Sequence, residues 1–199
     1  MTDELARILA DGWHELARGA EDRRHGFHVP TLCTVCADGT PAARAVVLRR
    51  VLPERCEIHC HTDVRSAKVA EIAREPRVAW HFYAAELSLQ LRVAAVAEFH
   101  AEGACADEGW ARSALSSRRC YLAPRAPGRA CDAPSPNLPA DILDRRPTEE
   151  ETVPARANFG VVVTRAISID WLSLASAGHR RARFTRDARG AWSGCWIEP

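Results

Sequence analysis

Arg44, Arg49, Arg65 and Lys68 crowd into one short stretch, RAVVLRRVLPERCEIHCHTDVRSAKVAEI (residues 44–72), of a chain that is otherwise close to neutral. Arg44 and Arg49 bracket the apolar residues Ala45 to Leu48, and Arg65, Ser66 and Lys68 fall where a helix is expected to begin. The free N–H groups and dipole of a helix N-terminus favour an anion. Ser66 adds a hydroxyl, arginine supplies a fork of donors, and lysine supplies a point charge for phosphate. This set suits a phosphate clamp beside an apolar strand that could support a flat ring. The plainer alternative is a group of solvated charges with Asp63 and Glu54 as partners.

A second constellation is thiol and imidazole. Cys33 and Cys36 form a C-x-x-C, and Cys56, His59, Cys60 and His61 follow about twenty residues later. Thiolates and imidazoles suit tetrahedral zinc. Both segments, however, read as strands, where residues three apart point to opposite faces. Small side chains packed in a sheet are the expectation, and no metal is assigned.

The chain has 199 residues, 47% of them hydrophobic, enough for one well-buried domain spanning 1–199. Its 27 basic and 26 acidic residues give a net charge of +1, which argues against a broad nucleic-acid surface and leaves room for a local anion site. No apolar run approaches the roughly 18 residues of a membrane span. The opening MTDELARILADGWHELA reads as an amphipathic helix over residues 1–20, without the basic and apolar regions of a signal peptide, so a cytoplasmic protein is expected, with no membrane partner.

The elements that must position these residues are mostly strands. HVPTLCTVCADGTPAARAVVLRRV reads as two runs joined by a turn at Ala37–Thr40, and CEIHCHT as a third strand. Thr62 and Asp63 offer an N-cap for VRSAKVAEIAR, which Pro76 ends. RVAWHFY and LSLQLRVAAVAEFHAEG form a hairpin, and DEGWARSAL (107–115) is helical in pattern. Seven of the twelve prolines fall between Cys120 and Pro154, marking 120–157 as a loop excursion. FGVVVTRAISIDWLSLA resumes the sheet, and a hairpin around Asp187–Gly190 closes it. Six or seven strands with two or three helices predict an antiparallel barrel with helices outside. Neither G-x-G-x-x-G nor G-x-x-x-x-G-K-[ST] is present, so those loops bind no nucleotide here.

Four motifs in order resemble the pyridoxamine 5′-phosphate oxidase family, in particular its bacterial oxidase-related members: Arg44-Ala45-Val46-Val47-Leu48-Arg49, Thr62 to Lys68, Gln90 in LSLQLRV, and NFGVVVTRAISIDWLSL followed by GHRRARF. The resemblance implies an α+β, mainly β fold, an antiparallel split β-barrel that binds FMN, with peripheral helices, working as a homodimer. It implies that Arg44, Val46, Val47, Leu48, Arg49, His61 and Thr62 line the flavin and that Arg65, Ser66 and Lys68 hold its phosphate. Gln90 would reach it from the subunit interface, and Trp171 and Arg183 match the C-terminal flavin contacts. Arg49, Arg112, Ser116 and Arg180 fall at or near substrate positions. The oxidase's R-L-H-x-R, however, becomes His179-Arg180-Arg181-Ala182-Arg183, with no matching histidine. The expected function is therefore FMN-dependent hydride transfer with a small anionic amine, alcohol or enone other than pyridoxine phosphate. The alternatives are a non-catalytic flavin or haem binder, with His25, His28, His59 or His81 as axial ligand, and a zinc module.

Overall fold

In a computed structural model describing residues 1–199, the chain forms nine strands and five α-helices. The strand count exceeds the expected six or seven for two local reasons. The run after Pro41 divides into β2 (Pro41–Ala45) and β3 (Leu48–Leu52), because Val46 and Val47 leave the ladder between them. β2 pairs with β1 (Thr31–Val35), whereas β3 pairs with β4 (Glu57–Asp63). The closing hairpin then adds two strands, β8 (Arg180–Arg186) and β9 (Trp192–Ile197), turning at Asp187–Gly190.

All pairings are antiparallel, and the order is β2-β1-β5-β6-β7-β4-β3, with β8 and β9 branching from β7. β5 (Arg77–Ala84) and β6 (Leu89–His100) form the expected hairpin. β7 (Phe159–Ser173) is the longest strand, and its two halves serve different neighbours on the same edge. Phe159–Arg165 pairs with β4, and Ser168–Ser173 pairs with β8. The sheet therefore splits where β4 ends and β8 begins. A buried chain of hydrogen bonds ties three of these strands together. Trp80 Nε1 donates to Thr164 Oγ1 (2.9 Å), which donates to the Ile58 carbonyl (2.8 Å), so no polar group in that part of the core is left unpaired.

The helices sit outside. α1 (Asp3–Glu21) is capped by Thr2, whose side chain accepts from the Leu5 N–H. Leu5, Leu9, Trp13 and Leu16 recur at near-helical spacing and form its buried face. α2 (Ala67–Arg74) starts later than Thr62 and Asp63 suggested. Asp63 still belongs to β4, and its carboxylate accepts from the Arg65 N–H instead, in a turn that delays the helix to Ser66. The helix expected over 107–115 lies at Gly103–Ala111 (α3), and Leu115–Arg118 forms a separate short α4. Residues 119–158 run as turns, 3-10 segments and a four-residue helix, α5 (Glu149–Thr152).

A core of 26 buried residues runs from α1 through the sheet to Phe184. A smaller one gathers Tyr121, Ala155, Phe159, Val161 and Val163, with Trp110 packed against it. That second core fastens the 119–158 excursion to β7. No helix is long and apolar enough to cross a membrane.

Candidate functional site

Where the β2–β3 run leaves the sheet, two cavities meet. The first, about 330 Å³, is lined by Val46, Val47, Arg49, His61, Thr62, Ser66 and Lys68, and is walled opposite by Cys120, Tyr121 and Pro127. The second, about 250 Å³, holds Arg23, His28, Arg49, Arg50, His59, His61, Arg112 and Ser113. Arg49 and His61 belong to both and form the partition.

Lys68 Nζ donates to Thr62 Oγ1 (2.9 Å) and Ser66 Oγ (2.7 Å), and no carboxylate is in ion-pair contact with it. Burial lowers its pKa. Ser66 is the N-cap of α2 but does not cap it through its side chain, so first-turn N–H groups stay free beside the lysine. Arg49 also lacks a carboxylate partner, and its Nε is buried with no hydrogen bond. An orphaned donor on a cation is costly unless an anion completes it. Phosphate fits this donor set.

His61 is held neutral. Burial first, then Arg49 and His59, pushes its pKa down to about 3. Its ring packs edge-on against Phe159 at 4.8 Å. Cys60, next to it in sequence and fully buried, is pushed up to about 12 by burial and remains a thiol.

The other sequence-predicted residues divide. Val46, Val47, Arg49, His61, Thr62, Ser66 and Lys68 share the first cavity, and Arg112 joins Arg49 in the second. Leu48 is fully buried in the main core and lines neither cavity. Arg44 points away, its guanidinium donating to Glu71 (2.9 Å), Thr34 and the Leu32 carbonyl. Arg65 grips Asp63 through two bonds (2.9 and 2.6 Å) and donates to the Ala123 carbonyl (2.9 Å), which spends its fork on the protein. Ser116 faces a separate open cleft with Arg119 and Arg146. Arg180 binds Glu4 (2.6 Å) and covers the Trp196 ring at 4.7 Å. Gln90 Oε1 accepts from His81 Nε2 (3.1 Å), and Arg183 lies 3.8 Å from Asp170, both on the far half of the sheet. Trp171 sits on the same strands, packed against the main core. Within one chain, Gln90, Trp171, Arg180 and Arg183 do not reach either cavity.

The histidines weighed as axial ligands are all engaged: His25 with Glu15 (2.8 Å), His28 with the Gly19 carbonyl (2.8 Å), His59 with Glu57 (3.2 Å) and His81 with Gln90. Sequence reasoning missed Arg23, Arg50, Ser113, Cys120, Tyr121 and Pro127. Arg50 and Ser113 carried a signal, as polar neighbours of Arg49 and Arg112; the rest arrive through long-range packing.

The antiparallel sheet split along β7, with a phosphate-suited pocket at the Asp63 end of β4, defines the class as a split barrel. A family model described as the pyridoxamine 5′-phosphate oxidase FMN-binding domain matches residues 11–101. The chain is 32% identical over 188 residues to a pyridoxine/pyridoxamine 5′-phosphate oxidase of Granulibacter bethesdensis, covering 89% of this chain and 83% of that one. It is 30% identical over 176 residues to the enzyme of the same name from Cupriavidus pinatubonensis, covering 85% and 78%. The fold is similar to that of a pyridoxamine 5′-phosphate oxidase-related, FMN-binding protein of Nostoc punctiforme (TM-score 0.76, 22% identical, covering 100% and 99%). It is also similar to PhzG of Burkholderia lata (TM-score 0.71, 17% identical, covering 98% and 92%). The chain belongs to the pyridoxamine 5′-phosphate oxidase family.

Proposed function

We propose that this protein binds FMN in the first cavity and is an oxidoreductase that passes a hydride between the flavin and a small anionic substrate in the second. The observation that carries the reading is the pair of uncompensated cations, Lys68 with its two hydroxyls and Arg49 with its orphaned Nε, at the seam of two adjoining cavities. Lys68, Ser66 and the first-turn N–H groups of α2 suit the single phosphate of FMN. Val46 and Val47 offer an apolar ledge for a flat ring system. Arg65, with its fork on Asp63 and Ala123, supports the far wall of the pocket. When bound, FMN supplies a two-electron hydride acceptor, and the protein supplies orientation and charge. Arg23, Arg49, Arg50 and Arg112 make the second cavity cationic, and Glu108 pairs with Arg50 at 2.9 Å. An anion entering there meets Arg49 as its free partner.

Analysis of the cofactor released by heat from the purified protein should find FMN. Lys68→Ala removes charge-assisted hydrogen bonds worth about 1.5–3 kcal/mol, so FMN should bind roughly ten- to a hundredfold more weakly while the circular dichroism spectrum is kept. Unchanged affinity in that variant would remove the phosphate assignment. Anaerobic addition of pyridoxine and pyridoxamine 5′-phosphates, and of other small anionic amines and alcohols, should bleach the flavin for at least one compound. A fully loaded protein that none of them bleaches supports the second reading, a non-catalytic flavin binder, which the placement of Ser116 and Arg180 outside the second cavity favours.

A further inference from the structure

The second cavity carries the guanidinium groups of Arg23, Arg49, Arg50 and Arg112, with Glu21, His28, His59 and His61 among its possible acceptors. His61 is different, and three atoms decide how. Ser113 Oγ lies 2.8 Å from the Gly109 carbonyl oxygen and 3.3 Å from His61 Nδ1. A hydroxyl has one proton, and a carbonyl can only accept. The Ser113 proton therefore goes back to the Gly109 carbonyl, four residues earlier, from just beyond the end of α3. What remains for His61 is a lone pair on Ser113 Oγ, so Nδ1 must carry the imidazole hydrogen. A neutral imidazole has one N–H. Its Nε2 is thus a bare acceptor.

That acceptor is kept open. His61 Nε2 has no partner within the chain and is not among the sealed polar atoms, while the ring lines both cavities. Gly109 provides the clearance. A Cβ there would stand 3.3 Å from Nε2 and 2.8 Å from Val161 Cγ2, crowding the ring from the α3 side. Glycine is otherwise a poor choice inside a helix, at about 1 kcal/mol against alanine. Arg49 beside the ring opposes a second proton on it.

We infer that His61 Nε2 is a fixed hydrogen-bond acceptor for an N–H or O–H of the substrate, with Ser113 and Gly109 as its positioning residues. The site then selects a small anion that also carries an amine or hydroxyl group over the same anion without one, and disfavours an enone. The guanidiniums hold the anion, and His61, which alone among the acceptors of this cavity also lines the first, reads a donor placed at the seam of the two. This inference rests on the proposed function for the identity of the occupant, but the state of His61 itself does not.

Two measurements test it. Nitrogen-15 NMR of the imidazoles in the purified, flavin-containing protein should show His61 protonated at Nδ1 and bare at Nε2 from pH 5 to 8, with that bias lost in Ser113→Ala. A native Nε2–H tautomer, or no change in Ser113→Ala, overturns the inference. Calorimetric titration, with the flavin pre-reduced so that nothing turns over, then compares pyridoxine 5′-phosphate with its 4-deoxy analogue. The hydroxylated probe should bind roughly three- to tenfold more tightly, the value of one neutral hydrogen bond. The preference should vanish in His61→Phe and return in part in His61→Gln, whose amide oxygen can stand near the Nε2 position. A preference that survives in His61→Phe, or its absence from the native protein, counts against the inference. If the protein neither carries nor takes up flavin, the proposed function fails, while the NMR result still decides the tautomer.

Discussion

His59 and His61 are imidazoles placed where a proton is unwelcome. Burial lowers the pKa of His59 although Glu57 pulls it upward, and burial with Arg49 takes His61 to about 3. The unfolded chain protonates both near the usual value of 6.5. Below that pH the unfolded state binds more protons than the folded one, so stability is complete above about 6.5 and declines as pH falls toward 3. Glu57 has a lowered pKa, and its contribution disappears only below its ordinary value of 4.5, so the upper part of the decline belongs to the histidines. The urea midpoint should fall between pH 7.5 and 5.5, and His61→Phe should flatten that slope. An equal slope in the variant would show that His61 is not the group responsible. At this scale, proximity is legible in the sequence where partners are local. Thr62, Ser66 and Lys68 lie within seven residues and are joined by hydrogen bonds. Arg44 was assigned to the same cavity because its true partner, Glu71, is brought to it by the packing of α2 on β1, which no local spacing reveals.

Among the elements, strand patterning was legible because alternation survives in a half-buried sheet, as in the burial of every second residue of β5. The break at Val46–Val47 was not, since two valines in an apolar run look like more strand. The excursion over 119–158 was recognisable as irregular from its prolines, but not as held in place. Its near end is fastened by the Tyr121 ring against Trp110 and Phe159, by Arg65 to the Ala123 carbonyl, and by Asn158 to the Tyr121 carbonyl (2.8 Å). Asn137 closes the far loop by bonding both backbone groups of Arg125. These contacts make residues 120–127 a wall of the first cavity. Arg65→Ala and Asn158→Ala should each speed tryptic cleavage at Arg125 and Arg129 severalfold, and added FMN should slow it again. Cleavage at the native rate in both variants would show that the wall does not depend on these two bonds.

For the whole molecule, the residues that miss the cavity have a common address. Gln90, Arg92, Asp170 and Arg183 occupy successive register positions on one outer face of β6, β7 and β8, and Tyr83, directly across from Gln90, is 48% exposed beside them. We propose that this face meets a second copy in an isologous dimer, so that Gln90 and Arg183 complete the partner's flavin site. Sedimentation should give a dimer. Tyr83→Arg adds a cation to a face that already carries Arg92, Arg181 and Arg183, and should yield a monomer with weakened FMN binding. A native monomer that holds one FMN per chain would refute the shared site.

The pairing of β4 with β7 has a consequence in time. His61, Thr62 and Asp63 are synthesised about a hundred residues before their ladder partners, Val161, Gly160 and Phe159. Tyr121, on the opposite wall, is propped by that same Phe159. A ribosome that has delivered the phosphate-suited turn has therefore delivered no pocket, and the β5–β6 hairpin must wait with an open edge until the long strand emerges. Such distant pairings fold slowly. The pocket is closed by a strand about a hundred residues further along, and the nascent chain has no complete pocket until that strand has emerged.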